Sequence, residues 1–354
     1  MIKYLGSKRR LLPVLTTLFE RSGATTALDL FTGTTRVAQA FKQAGGDVTA
    51  VDTARYAEVF ARTWIETDAA SVDGGELGDE LARLDALPGV EGYVTDTFCH
   101  RSRFFQPHNG RRIDAIRAAI AADHTGTALE PILLTSLLLA ADKVDSTTGV
   151  QMAYVKQWAP RSYRDLRLER PQLLPGGGRA VLGDAVELAG ALGRFDLAYV
   201  DPPYNQHRYY TNYHVWETLV AWDAPEHYGV ACKRVDARDD DTKSVFNRKR
   251  EMPAALRATI GALEAGVVVV SYNDESWVAL DELVDMCAVH GEVVALAFES
   301  KRYVGAQIGI HDPQGRRVGE VGRTRNLEYV VVAGDPAIVR VMTAPFREHE
   351  CRPA

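Results

Sequence analysis

The stretch "ATTALDLFTGTTRVAQAFKQAGGDVTAVD", residues 24–52, reads as strand, turn, helix, strand. Its opening segment "ATTALDLF" is nearly continuous in apolar residues, as expected of a strand covered on both faces in a parallel sheet. Val37, Ala38, Phe41 and Ala44 then recur on one helical face, and Gly45-Gly46 stops the helix. "DVTAVD" is the returning strand, which completes a βαβ unit and assigns the chain to the α/β class.

Further strands lie far downstream: "RFDLAYVD" (194–201), "GVVVVSYND" (266–274), "VVALAFES" (293–300) and "LEYVVVAG" (327–334). Helical patterns separate the first three of them. The segment 65–178 reads as mostly helical and ends in "PQLLPGGG", a hinge composition. The expected organisation is therefore a core in two parts, 1–64 and 179–354, interrupted by an insertion at 65–178. The stretch "KRYVGAQIGIHDPQGRRVGEVGRTRN" (301–326) is rich in Gly and Arg and holds the β-turn signal "DPQG", so a β-excursion or hairpin on the edge of the sheet is expected there.

With 354 residues and 46% apolar composition the chain can bury a large core. "PILLTSLLLAA" (131–141) is too short to span a bilayer, and "MIKYLGSKRRLLPVL" lacks the apolar region of a secretory leader, so no membrane span and a cytoplasmic location are expected. Four scattered cysteines, Cys99, Cys232, Cys287 and Cys351, have no C-x-x-C spacing, which argues against a disulfide framework or a zinc site. No metal is expected. Net charge is −6, but five arginines fall within 101–117 and seven Lys or Arg within 233–250. An acidic total is compatible with a polyanionic partner when bases collect on one face.

Two turns carry chemistry. In "DLFTGTT", Gly33 sits where a strand tip enters a helix, so a ligand can approach the backbone closely. Asp52 ends the next strand, where an acid can accept hydrogen bonds from the two hydroxyls of a ribose. The pattern is not G-x-G-x-x-G, which favours a nucleoside ligand without a pyrophosphate.

The second turn is "DPPY". Pro202 and Pro203 cannot extend a β ladder, so they end the strand and leave Asp201 at its carboxyl tip, the edge where open α/β sheets bind ligands. Tyr204 adds a flat π face. A carboxylate, a backbone carbonyl and an aromatic plate together suit an exocyclic amine on a planar base. If the two acceptors each take one N–H, the nitrogen lone pair localises and can attack an electrophilic methyl. Tyr204 would stack on a base swung out of its duplex.

"DPPY" with "DLFTGTT" resembles the Dam-like, alpha-group DNA adenine-N6 methyltransferases, in which the cofactor motif precedes the catalytic one. The opening "KYLGSK", with "GDA" (183–185), "VVVVSYND" and "ESKRYVGAQ", extends the resemblance over nearly the whole chain. "DPPYNQHRYYTNYHVWETL" is similar to the subgroup accompanying type IIS restriction endonucleases. The resemblance implies a Rossmann-like, seven-stranded S-adenosylmethionine-dependent methyltransferase sheet with its last strand antiparallel, base flipping, and a mostly helical inserted target-recognition domain. It implies that Tyr4 and Lys8 flank the cofactor, that Asp29, Phe31, Thr32, Gly33, Thr34 and Thr35 line its methionine end, and that Asp52 and Asp184 face its ribose and adenine. It implies double-stranded DNA as partner, a monomer, and a restriction endonuclease of the same system. One departure stands out: the family's F-x-G-x-G has Thr35 at its second glycine, where a side chain narrows the pocket or bonds to the cofactor.

In the insertion, "RSRFFQPHNGRRIDAIR" (101–117) interleaves bases with aromatics, and Asn109, Arg111 and Arg112 are expected in a turn before a helix, placed to read DNA. Phe104 and Trp158 read as core. Arg208 follows the catalytic turn within "HRYYTNYH" (207–214), a segment with two readings: a flap over the flipped base, or a loop whose aromatics pack under the next helix with His214 at the surface. Three alternatives to adenine-N6 methylation of DNA share much of the pattern: methylation of RNA adenine, methylation of cytosine N4, and a catalytically silent, cofactor-sensing DNA-binding protein. Cytosine-C5 methylation would need a cysteine nucleophile in a Pro-Cys turn, and there is none.

Overall fold

The computed structural model describes residues 2–6, 8–155, 157–203, 208–240, 242–301 and 325–351. They fall into two compact units. The first comprises Met1–Thr16, Thr25–Leu188 and His207–Ser244, the second Thr17–Ala24, Ala189–Gln206 and Val245–Ala354. In chain order the strands are β1 (Thr26–Asp29), β2 (Asp47–Asp52), β3 (Gly178–Leu182), β4 (Phe195–Val200), β5 (His227–Tyr228), β6 (Lys233–Arg234), β7 (Ala265–Asn273), β8 (Glu292–Lys301), β9 (Arg325–Gly334) and β10 (Glu350–Cys351).

In the first unit β1, β2 and β3 lie side by side and parallel, with Asp29 opposite Ala50 and Asp52 opposite Leu182. The helix Arg36–Gln43 joins β1 to β2 and buries Val37, Ala38 and Phe41, as its spacing predicts. β3 escapes sequence reading because "GRAVL" begins with glycine and is only half-covered, so no apolar run marks it. β5 and β6 form a separate two-residue hairpin.

The second unit orders its strands β10-β8-β9-β7-β4. β4 and β7 are parallel, while β9 runs antiparallel between β7 and β8. Val267–Val270 and Val330–Val332 are buried, and the Tyr199 hydroxyl donates to Ser271 Oγ at 2.8 Å to lock β4 onto β7. Among the described residues, β1–β3 of the first unit and β4 and β7–β9 of the second together match the expected number, seven. The eighth, β10, is a two-residue antiparallel addition to β8. The expected β-excursion lies almost entirely outside the described residues, and so does Tyr204. No described helix is long and apolar enough to cross a membrane.

The span 65–178 is mostly helical, with helices Gly74–Asp85, Pro107–Asp123 and Glu130–Val144, and it belongs to the same compact unit as β1–β3. The helix Pro107–Asp123 is keyed to the π-helical segment Thr95–Arg101. Asp114 accepts from the Val94 and Thr95 amides at 2.9 and 2.8 Å and from Thr95 Oγ1 at 2.6 Å. Gly110 lets the two segments close: a Cβ there would run into Cys99 Sγ. Exchanging a helix-interior glycine for alanine ordinarily stabilises by about 1 kcal/mol. Here the added methyl overpacks a filled contact, so Gly110→Ala is expected to lower stability by about 1–3 kcal/mol, read as a reduced urea midpoint.

Candidate active site

The first unit gathers most of the expected cofactor residues at the carboxyl ends of β1 and β2. Gly33 adopts the left-handed conformation, φ 51°, in the turn after β1. Its amide donates to Asp52 Oδ2 at 2.8 Å, and the other oxygen of Asp52 accepts from the Ala54 amide at 2.9 Å. One carboxylate thus ties the glycine turn to the end of β2. Burial pushes the Asp52 carboxyl above its usual range, against the pull of those backbone donors. A carboxylate has about four acceptor sites, so Asp52 retains capacity for hydroxyl donors.

Asp29, at the tip of β1, is buried and accepts from Thr32 Oγ1 at 3.0 Å and from the Ala38 amide at 3.2 Å. Ala38 lies in the first turn of the helix Arg36–Gln43, whose own N-cap residue, Thr35, makes no side-chain cap. The acid nine residues upstream takes over that role. The Thr35 amide, meanwhile, bonds to the Thr32 carbonyl at 2.7 Å. Three amides of this turn and helix start, those of Gly33, Thr35 and Ala38, are therefore committed inside the chain. The turn thus carries two carboxylates, Asp29 and Asp52, which favour a cation beside it.

Thr35 itself is fully buried with φ 60°, a strained conformation for a β-branched residue. Its hydroxyl donates to the Thr34 carbonyl at 2.7 Å and accepts from Gln39 Nε2 at 2.8 Å. The side chain that replaces the family's glycine is thus spent on internal bonds. Thr32 and Thr34 are also buried, and Phe31 is half-buried. Asp184 caps the short helix Ala185–Leu188 by accepting from the Val186 amide at 2.7 Å, and the neighbouring Gly183 amide bonds to the Asp52 carbonyl at 2.9 Å. That bond puts Asp184 beside the acid that ends β2.

From the N-terminal motif, the Tyr4 ring lies against Gly33, where a Cβ would come within 3.1 Å of it. Glycine is needed at this position for the tyrosine as well as for the backbone angle. Tyr4 stacks on Tyr213 with centroids 4.7 Å apart and on Tyr209 at 5.3 Å, and Tyr56 meets Tyr213 edge-on. The Leu5 amide donates to the Tyr213 hydroxyl at 2.7 Å. Lys8 is buried on the short turn Lys8–Arg10. The segment after the Asp201–Pro203 turn therefore packs Tyr209 and Tyr213 onto Tyr4 of the N-terminal motif. His214 departs from both readings of that segment. It is fully buried between Phe98 and Phe104, its Nε2 donates to the Gln151 carbonyl at 3.0 Å, and burial pushes its imidazole down to about 3.

Asp201, Pro202 and Pro203 follow β4 directly in the second unit, with Asp201 half-buried and Pro202 buried. The expected DNA contacts fare unevenly. Asn109, Arg111 and Arg112 lie within the helix Pro107–Asp123, not in a turn before it. Asn109 is fully buried: its Nδ2 donates to the Ser162 and Arg164 carbonyls and its Oδ1 accepts from the Leu166 amide. Arg112 donates to the carbonyls of Asp85 and Leu87 and to Asp85 Oδ1. Both are internal ties, which corrects their reading as base contacts. Arg111 is exposed and paired with Glu91 at 2.6 Å, an exchangeable surface pair. Arg208 is exposed. Phe104 is core, as expected, whereas Trp158 is half-exposed under the Arg103 guanidinium, 4.6 Å from its centroid.

Sequence reading missed Tyr56, Gln151 and Glu217. A signal existed for part of this: Tyr209, Tyr213 and Glu217 recur every four residues, one face of a helix.

The model of the family described as D12 class N6 adenine-specific DNA methyltransferase matches residues 4–286. The chain is 27% identical over 317 residues to the type II methyltransferase M.NlaIII of Neisseria lactamica, covering 85% of this chain and 92% of that protein. It is 30% identical over 236 residues to the type II methyltransferase M.CviAII of Paramecium bursaria Chlorella virus 1, covering 64% of this chain and 68% of that protein. It is 26% identical over 314 residues to the type II methyltransferase M.FokI of Planomicrobium okeanokoites, covering 82% of this chain but 47% of that protein.

Two substitutions test the internal bonding of Thr35 in the turn and of Asn109 in the helix Pro107–Asp123. Thr35→Gly is expected to leave the chain no less stable, because relief of about 1–3 kcal/mol of backbone strain offsets the lost Gln39 bond. Asn109→Ala is expected to destabilise by about 1–3 kcal/mol, since three backbone partners lose their bonds. Thermal melts of both variants beside the unsubstituted chain check these signs.

Proposed function

The chain belongs to the D12 class of N6 adenine-specific DNA methyltransferases, and from that premise we propose how its residues carry the reaction. It methylates adenine in DNA at specific sites, in keeping with type II relatives that it matches over 92% and 47% of their length. The methyl donor is S-adenosylmethionine, which when bound supplies an electrophilic methyl group on a sulfonium centre. The observation that carries this assignment is the pair of carboxylates, Asp29 and Asp52, around a glycine turn in which the Gly33 and Thr35 amides are bonded within the chain. Such a turn favours a cationic nucleoside over a nucleotide phosphate.

In this reading Asp52 accepts from the ribose hydroxyls, Asp184 borders the adenine side, and Tyr4 with Lys8, Phe31, Thr32, Gly33 and Thr34 borders the methionine end. Thr35 acts through the turn's conformation. Asp201 and the Pro202 carbonyl accept the two N6 hydrogens of a flipped adenine, which localises the nitrogen lone pair and then removes the proton it sheds. Pro203 keeps the turn rigid and Tyr204 stacks on the base. No covalent intermediate with the protein is required.

Target recognition is assigned to the inserted residues 65–178, with Arg111 and Arg208 neutralising phosphates of double-stranded DNA. The enzyme works as a monomer in the cytoplasm, with a restriction endonuclease of the same system reading the same site.

Labelled S-adenosylmethionine with matched DNA and RNA oligonucleotides tests the substrate: label is expected in adenine of duplex DNA, and label confined to RNA or to cytosine overturns the assignment. Asp201→Ala is expected to reduce kcat by about 10³-fold or more while cofactor affinity stays within about twofold. Arg208→Ala is expected to weaken DNA binding across sequences and to lower the salt dependence of binding by about one phosphate contact.

A further inference from the structure

Glu217 lies on the helix His214–Ala221, three residues beyond the buried His214, and is 2% exposed. A buried carboxylate with no part in the methyl transfer calls for a physical reason. Its oxygens accept from the Arg55 amide at 3.1 and 3.4 Å. Arg55 opens the helix Arg55–Ala61, whose N-cap residue, Ala54, has no side-chain acceptor to offer. Immediately before it, the Ala54 amide is bonded to Asp52 Oδ1. The chain from Asp52 to Arg55 is thus suspended between two carboxylates, Asp52 on one side and Glu217 on the other.

We propose that Glu217 is a positioning residue of the cofactor site, whose ionised carboxylate caps the helix Arg55–Ala61 and so holds Asp52 in register with Gly33. The proposal rests on the reading of Asp52 as the ribose acceptor. Tyr213, at the N-cap of the helix that carries Glu217, stacks on Tyr4 and meets Tyr56 edge-on, so the start of that helix also presses on the aromatic side of the turn.

The charged and titratable groups facing Glu217 come from three directions. Arg55 and Tyr56 start the capped helix, with Arg55 Nε 3.6 Å away. Arg234 approaches from β6, held bidentately by Asp223 and Asp236 and reaching Thr218 Oγ1 at 3.5 Å. Tyr210 lies on the preceding segment. Burial dominates these influences and pushes the Glu217 carboxyl up to about 7, against the two arginines and the Tyr56 and Arg55 amides. The folded chain therefore favours the protonated form. Stability from this group is fully present below the ordinary carboxylate range and is lost as pH rises through about 7. The ionised form is the stronger acceptor for the helix amides, so the cap tightens over the same interval in which the fold gives up stability.

That opposition separates a positioning role from a merely structural one. The probe is S-adenosylhomocysteine, titrated calorimetrically into the full-length chain between pH 5.5 and 8.5. In the unsubstituted chain affinity is expected to rise with pH through about 7 by about fivefold, the scale of one helix cap. Glu217→Gln, which keeps one carbonyl acceptor and cannot ionise, is expected to hold the low-pH affinity throughout, although its melting temperature at pH 8 equals or exceeds that of the unsubstituted chain. Glu217→Ala measures the full loss of the cap, and should it not fold, the Gln variant alone decides. A flat profile in the unsubstituted chain, or the same slope in the Gln variant, overturns the role of Glu217 and leaves the cofactor assignment standing. Absence of binding by the unsubstituted chain at every pH overturns the cofactor assignment itself, and this proposal with it.

Discussion

The bond from the Gly33 amide to Asp52 joins the ends of two neighbouring strands across the turn that defines the site. Everything around it is arranged to keep that contact short. Gly33 adopts φ 51°, a conformation that costs a residue with a side chain, and it leaves room for the Tyr4 ring. Asp29 fastens the other end of the turn to the helix Arg36–Gln43. Two acids in one small turn would repel each other in isolation. Distributed backbone donors make the arrangement tolerable, and a bound cation would improve it further.

A second feature recurs through the first unit: helix ends are closed by residues from elsewhere in the chain. Asp29 serves the helix starting at Arg36, Glu217 the helix starting at Arg55, and Gln151 accepts from the Val215 amide at 2.9 Å in the first turn of the helix His214–Ala221. The far end of that last helix is held by Arg117, which donates to the Leu219 and Val220 carbonyls and lies over the Trp222 ring. Each of these bonds satisfies a terminal amide or carbonyl that a short helix cannot satisfy itself. The bonds of Glu217, Gln151 and Arg117 also connect segments far apart in sequence, so the inserted helices, the aromatic segment and the helix that follows β2 are braced against one another. Helices of seven or eight residues are marginal alone and depend on such bracing.

The nucleic-acid side was less readable. A run of arginines between aromatics looks alike whether it grips phosphates or holds two helices together. Asn109 and Arg112 turned out to be consumed by backbone carbonyls and an aspartate of the chain itself, while Arg111 and Arg208 remained exposed. Residue type and spacing could not sort them, because burial depends on which surface the helix presents to its neighbours. His214 illustrates the same point from the other side, since a polar residue amid tyrosines lies deep between two phenylalanines.

By itself the sequence determined the strand, turn and helix order, the acid at each strand tip, the glycine between them and the proline stop after Asp201. These are local matters: apolar periodicity, the missing Cβ of glycine and the missing amide hydrogen of proline act within a few residues. Tertiary structure alone decided that Tyr209 and Tyr213 lie on Tyr4 and that Glu217 caps a helix more than 150 residues upstream. Such contacts depend on how distant segments pack, and no short-range pattern encodes which donor a buried carboxylate will meet.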